Sequence, residues 1–453
     1  MRVLILGGGA VAYLVARRLI REKNEITIIE RDGQRCEDLE GQLDAKIVQG
    51  NAASIETLER AGIKRVQMII AATDNDQINI MGTLIAQSYD NVQIKVMRLR
   101  THEALRWQKL AAHRSFRVDC VIHPDGEAAE RLLKVVSLPG VSDVRSFMDG
   151  RVRLFGMNIR DDSWVVGKSM RDLDESSPPK SSLICMIFRG HRVIIPRGDD
   201  RLQAGDHVYV VVATDAFEEC MEFMGLPPAE RTQRVFILGG KQIGIELARR
   251  LEKAGVQVKL FERDRQRCEK VSTLVKRTVV VHADGTDQRI LSEENIEGID
   301  AYLALTSRDG DNIIASLLSK RMGARKAIAL VNRLDLLPIV PLLGINSSLS
   351  LRLVTVDRIL QFVRKGRVLS VHTFRQEEAE AIELVATEGS PFVNKKLRNV
   401  HLPHTAIIGA IGRKNGEVVV PRGDTVIRPG DRVIFFCLEH VVPELEAAFI
   451  AEH

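Results

Sequence analysis

Residues 3–37 read VLILGGGAVAYLVARRLIREKNEITIIERDGQRCE, and residues 235–269 read VFILGGKQIGIELARRLEKAGVQVKLFERDRQRCE. Gly7 matches Gly239, Glu30 matches Glu262 and Cys36 matches Cys268, at one constant spacing. Each copy opens on an apolar run (Val3–Leu6 in the first), as a parallel strand covered on both faces requires. A glycine turn follows. Val11, Leu14, Val15 and Leu19 then recur at helical spacing. A second strand, Ile26–Ile29, ends in an acid.

Outward from the first copy, strands are expected at Lys46–Gln49, Met68–Ala72 and Gln93–Met97. Helices are expected from Ser54 to near Gly62 and over Asn75–Gln87. The second half repeats the order, with strands near 235–238, 257–261, 278–282, 301–305 and 326–331, and helices ending near Gly255 and Gly323. Alternating strand and helix in this order predicts an α/β fold with two Rossmann-like, doubly wound parallel-sheet lobes. A second repeat lies behind each: IIPRGDDRLQAGDHVYVVV at 194–212 and VVPRGDTVIRPGDRVIFFC at 419–437. Strand alternation and Gly-Asp turns make these small α+β lobes. The expected domains are 1–137, 138–226, 232–366 and 367–453, with Gly225, Pro227 and Pro228 punctuating the join.

The chain has 453 residues, with 65 Lys and Arg against 60 Asp and Glu. That mild basicity does not demand nucleic acid, and two Trp with four Tyr make a base-stacking platform a poor fit. The six cysteines show no CxxC and read as reduced thiols. Cys36 and Cys268 are expected on exposed helix starts. Met1–Leu4 already reads as strand, so no leader is expected there. The most apolar stretch, Leu334–Ile345, carries Asp335, Pro338 and Pro341. Any membrane role is therefore expected to run through a partner.

Gly7, Gly9 and Ala12 fit G-x-G-x-x-[GA]. Gly7 would make the turn, Gly9 would admit a diphosphate, and Ala12 would let the helix approach the strand. A helix N-terminus suits phosphate, and an acid placed as Glu30 is can accept hydrogen bonds from ribose hydroxyls. The other reading is a turn that binds nothing, since fold does not imply ligand. In the second copy Gly239, Lys241 and Gly244 fill the three positions. Lys241 would crowd a diphosphate or offer it an ammonium, while Glu262 keeps the ribose position.

Ligands in such sheets sit beyond the carboxyl ends of strands. There the first copy has Gly50, Asn51, Thr73, Asp74, Arg98 and Arg100, and the second has Asp284, Thr306, Ser307 and Arg333. Against a binding role, Asp74 could cap the next helix and Arg100 could be a solvated loop residue. His401 and His404 lack a carboxylate or thiolate neighbour in sequence, so no metal site is expected.

With LILGGGAVA, IIERD, AATDND, KVMRLR, LARRLEKAGVQVKLFERDRQR, SKRMGARKAIALVNR and the paired PRGD–GD segments in view, the whole chain resembles the TrkA family. Its members carry two RCK (regulator of conductance of potassium) units, each a Rossmann lobe followed by a TrkA-C lobe. The resemblance implies a non-enzymatic, cytoplasmic subunit, peripheral at the membrane. It would form a homotetrameric ring beneath a TrkH- or TrkG-type potassium pore and respond to NAD(H), ATP or ADP. Gly7, Gly9, Glu30, Arg98 and Arg100 would make the main site, with Gly239, Glu262 and Arg333 as counterparts. Asn51 departs from the acid or His common in the family. The helix after Asp125 (Ala128, Leu132, Leu133, Val136) and one after Asp357 (Leu360, Val363) would cross over to pair lobes, although an ordinary core helix has the same periodicity.

Two alternatives have defined requirements. An NAD-dependent oxidoreductase needs a proton donor facing the nicotinamide, and no His or Lys stands out. A nucleotide-responsive DNA-binding regulator needs a helix-turn-helix or a concentrated basic face, and neither is visible.

Overall fold

Strand β1 (Arg2–Leu6) is apolar on both sides because it lies at the centre of its sheet, and Val3 to Leu6 are at most 1% exposed. The computed structural model describes residues 1–100, 106, 107, 110, 117–179, 181–190, 192–227, 232–363, 368–374 and 379–449. Pro228 of the predicted join lies outside these.

With β2 (Glu25–Glu30), β3 (Lys46–Gln49), β4 (Met68–Ala71), β5 (Ile94–Arg98) and β6 (Cys120–Ile122), β1 forms a parallel sheet ordered β3-β2-β1-β4-β5-β6. The order reverses between β1 and β4, which places the switch-point crevice directly beyond Leu6. Five of the strands match the sequence reading to within a residue or two. The sixth, three residues long, gave no periodic signal.

Val141–Phe147 (β7), Val152–Asn158 (β8), Ser182–Arg189 (β9), Arg192–Ile194 (β10) and His207–Ala213 (β11) form an antiparallel sheet ordered β10-β9-β11-β8-β7. The second half repeats both patterns. Arg234–Leu238 (β12), Gln257–Glu262 (β13), Val279–His282 (β14), Ala301–Ala304 (β15), Ala327–Leu330 (β16) and Ser347–Leu349 (β17) build a parallel sheet ordered β14-β13-β12-β15-β16-β17. Val368–Phe374 (β18), Ala379–Val385 (β19), Ala406–Gly412 (β20), Val418–Val419 (β21) and Arg432–Leu438 (β22) give the order β18-β19-β22-β20-β21.

The alternation expected in the PRGD segments is replaced in β11 by burial of all seven residues. One face meets the helix Phe217–Phe223, where Phe155 stacks edge-on against Phe217. The other meets the β18–β22 sheet, where Tyr209 stands 4.7 Å from Phe374 in a shared apolar core. The sheets approach closely at Gly409, where a Cβ would lie 2.2 Å from the Phe436 ring and 3.2 Å from Val211. The Gly-Asp turns hold as read: Gly205 and Gly430 have φ of +81° and +83°. Their aspartates are buried, Asp206 forking onto Arg189 at 2.8 Å and Asp431 bonding Arg413.

Compactness does not follow chain order. One unit comprises Met1–Glu127 with Leu351–Val363, and the other comprises Ala128–Ser350 with Arg364–His453. In the first, the helix Leu351–Val363 packs on the helix Ala10–Arg21 and on β6, and Arg358 reaches Glu127 at 3.6 Å. Asp357 does not precede this helix as expected. It sits inside it, 2% exposed, because apolar Val354, Val356, Ile359 and Leu360 extend the buried face through it. In the second unit, the helix that begins at Pro124 contributes Ala128 onward. Glu130 lies 3.7 Å from Arg250. Lys326 at the head of β16, 5% exposed, donates to the carbonyls of Val135 (2.6 Å), Leu138 (2.9 Å) and Val141 (2.6 Å). Burial lowers its pKa to about 7.

Candidate functional site at the strand ends

The glycine turn of the first lobe leaves β1 with Gly7 at φ +94°, a left-handed backbone whose added Cβ would stand 3.0 Å from Thr73. Gly8 donates its N–H to Glu30 Oε2 at 2.6 Å, while Glu30 Oε1 accepts from the amides of Arg31 (2.6 Å) and Asp32 (2.9 Å). The carboxylate is thus fixed by three backbone donors at the end of β2. Arg35 ties the turn down from outside, its Nε donating to Gly8 O at 2.9 Å. Gly9 is the N-cap of the helix Ala10–Arg21, and a Cβ there would meet no described atom within 4 Å. Ala12 is fully buried against the sheet.

The second lobe copies this frame. Gly239 has φ +112°, Gly240 donates to Glu262 Oε2 at 2.9 Å, and Asp264 donates to Glu262 Oε1 at 3.1 Å. A Cβ at Gly244 would lie 2.1 Å from Gly239 O, so glycine is required where the first lobe carries Ala12. Lys241 is the N-cap of the helix Gln242–Lys253, and its Nζ donates to Ser307 Oγ at 3.0 Å.

The other strand-end residues divide into three groups. Asn51 and Asp284 serve their own turns: Asn51 Oδ1 accepts from Ala53 N, and Asp284 Oδ1 accepts from Thr286 N and Oγ1, which holds its carboxyl below the usual range. Thr73 and Thr306 are pinned by Asn79 and Asn312. Asn79 Oδ1 accepts from Thr73 N (2.9 Å) and Oγ1 (2.7 Å), and its amide donates to Thr73 O and Arg98 O. Asn312 repeats this with Thr306 and Leu330 O. Both asparagines are fully buried. They went unread in the sequence, although their shared place in the two repeats was a signal. Asn79→Ala is expected to cost about 2–3 kcal/mol, because it strands buried backbone groups at the end of β4. An unchanged urea midpoint for the first unit would contradict this.

The third group is charged. Asp74 does not cap the next helix. Asn75 does, accepting from Gln77 N and Ile78 N, and Asp74 instead pairs with Arg98 at 3.0 Å. Arg98 is buried, and burial lowers its pKa against the opposing pull of Asp74. Arg100 lies 4.0 Å from Asp125, whose carboxyl is raised by burial. Asp125 was not read as a rim residue. Arg333 is exposed and forks onto Asp335 (2.5 and 3.3 Å). Cys36 and Cys268 are buried rather than exposed, their thiols donating to Glu30 O and Glu262 O. Burial, with Glu30 and Glu262 nearby, pushes both thiols up. Among the described residues, no group of three His, Cys, Asp or Glu could hold a metal, and no helix is long and apolar enough to cross a membrane.

Two parallel-sheet lobes alternating with two antiparallel-sheet lobes, each parallel sheet carrying a glycine turn locked to an acid, define a tandem RCK-type protein. The TrkA-N domain model matches residues 3–124 and 235–351, and the TrkA-C domain model matches 154–225 and 381–450. The chain is 35% identical over 453 residues to the Trk system potassium uptake protein TrkA of Azorhizobium caulinodans, covering 99% of this chain and 98% of that one. It is 34% identical over 443 residues to the protein of that name from Halomonas elongata, covering 97% and 96%. In fold it is similar to the GsuK RCK domain (TM-score 0.61, 17% identity, covering 99% and 95%) and to the GsuK channel bound to NAD (TM-score 0.61, 17% identity, covering 99% and 79%). The chain belongs to the TrkA family of Trk system potassium uptake proteins.

Proposed function

We propose that this chain is the nucleotide-binding regulatory subunit of a potassium uptake system, gating a TrkH- or TrkG-type membrane pore from the cytoplasmic face as a homotetrameric ring. Its domains are two Rossmann lobes, 1–137 and 232–366, each followed by a TrkA-C lobe, 138–226 and 367–453. NAD(H), ATP or ADP occupies the strand-end crevices. In the first, the diphosphate lies over Gly7 and Gly9, with Ala12 behind the turn. Glu30 takes the ribose, while Arg98 and Arg100, with Thr73, Asp74 and Asn51, line the rim. In the second, Gly239, Lys241, Gly244 and Glu262 play the matching parts beside Asp284, Thr306 and Arg333.

The observation that carries this reading is the Glu30 carboxylate, fixed at the end of β2 beside a helix N-cap, Gly9, where an added Cβ would meet no described atom within 4 Å. Three amides hold it in place, and a ribose hydroxyl needs an acceptor set there. A nucleotide moves such an assembly only by binding one conformation better than another. No catalytic role is assigned to the chain.

The test is calorimetric titration of ATP, ADP, NADH and NADPH into wild type and Gly9→Lys. NADH is expected to bind wild type and to lose at least about tenfold in affinity in the variant, since a lysine side chain would lie across the crevice that the dinucleotide spans. Failure of every nucleotide to bind either protein would refute the reading.

A further inference from the structure

The two crevices share a backbone and differ in what crosses them. Gly9 and Lys241 are both extended N-caps, with φ, ψ of −67°, 177° and −81°, 178°. Over Gly9 the space is open among the described residues. Over the second turn the Lys241 side chain runs from the end of β12 to Ser307, beyond the end of β15. The strand order reverses between β12 and β15, so this contact spans the switch point itself. A second link runs beside it. Arg263, past the end of β13, pairs with Asp311 (3.3 Å) and approaches Asp284 (4.0 Å), while Arg308 also reaches Asp311 (3.4 Å). The first lobe has Asp74 where the second has Ser307, and Ile78 where the second has Asp311. Asp74 turns away to Arg98, and Ile78 cannot pair with an arginine.

A dinucleotide lies across the switch point, one nucleoside on each side of the turn. A mononucleotide needs only the side of the β13 acid. The phosphate chain of ADP, ending in a free terminal phosphate, also carries more charge than a doubly esterified diphosphate. It can replace Ser307 and Asp311 as the partner of Lys241, Arg263 and Arg308. The second nucleoside of a dinucleotide offers those cations no negative charge. We propose that the Lys241–Ser307 contact closes the switch-point crevice of the second lobe to dinucleotides, leaving it selective for adenine mononucleotides. This rests on the reading of both crevices as nucleotide sites.

The experiment counts bound ligand per full-length chain, with NADH and ADP as separate probes, in wild type, Lys241→Gly and Ser307→Ala. Wild type is expected to bind one NADH but two ADP. Lys241→Gly is expected to bind two NADH, and Ser307→Ala is expected to gain a second, weaker NADH, because the lysine is no longer held across the crevice. An unchanged circular dichroism spectrum and urea midpoint serve as the folding control for both variants. Two NADH in wild type, or one NADH in Lys241→Gly chains that pass the folding control, would overturn the proposal while leaving the nucleotide reading intact. A single ADP in wild type would overturn it by removing the second site. No binding of either probe to any chain would overturn the proposal together with the nucleotide reading.

Discussion

Between pH 7 and pH 10, wild type is expected to gain stability relative to Lys326→Met, by on the order of 1 kcal/mol per pH unit. The Lys326 pKa falls from 10.5 to about 7 on folding, through burial alone. Above that value the unfolded chain binds a proton that the folded chain does not, so stability rises with pH until the unfolded lysine also titrates. Below pH 7 both states are protonated, and this group adds no slope. The three carbonyls of Val135, Leu138 and Val141 accept from the ammonium, and a neutral amine can still donate to two of them. Methionine fills the volume but donates nothing and does not titrate. The check is urea unfolding of both chains at each pH unit across the window, read by a probe in the second unit. Parallel stability curves would show that Lys326 keeps an ordinary pKa.

Glu383→Ala is expected to destabilise the paired antiparallel sheets by on the order of 3–5 kcal/mol. Glu383, 1% exposed, accepts from Arg432 Nε at 2.5 Å, Ser370 Oγ at 2.8 Å and Met148 N at 3.4 Å. It therefore joins β18, β19 and β22 to the turn after β7. Arg432 continues to Asp149 at 2.6 Å, so half of its charge pairing survives the substitution at a more exposed place. Removing one member of a buried pair leaves the other desolvated, whereas removing both is often close to neutral. The double variant Glu383→Met with Arg432→Met is thus expected to regain most of the loss. A double-mutant cycle from urea midpoints measures this coupling, and additive single effects would mean that the two groups act independently.

The parallel sheets were readable in the sequence because their strands are continuous apolar runs between glycine-marked turns. Gly7, Glu30 and their repeats could be placed for the same reason. What escaped depends on distant partners. Lys326 stands in RKAIALV, where it reads as a strand flank, yet its acceptors lie on a helix, the turn after it and the start of β7, about 190 residues away. Asn79 reads as a polar position on an amphipathic helix until β4 and β5 are set beside it. Cys36 was misjudged because its helix is mostly charged, and only the fold shows that the thiol faces Glu30 O. Asp357 misled because an acid often precedes a helix, whereas here it lies within the buried part of one, among Val354, Val356, Ile359 and Leu360.

The placement of Leu351–Val363 against the N-terminal helix Ala10–Arg21 sets the order of assembly during synthesis. Domains generally complete as they leave the ribosome, earliest sequence first. Here the earliest sheet waits for a segment translated after the whole of the second parallel sheet. Until then the apolar surface that will receive Val354, Val356, Ile359 and Leu360 stands open to solvent and to chaperones. The oldest part of the nascent chain is therefore among the last to be finished.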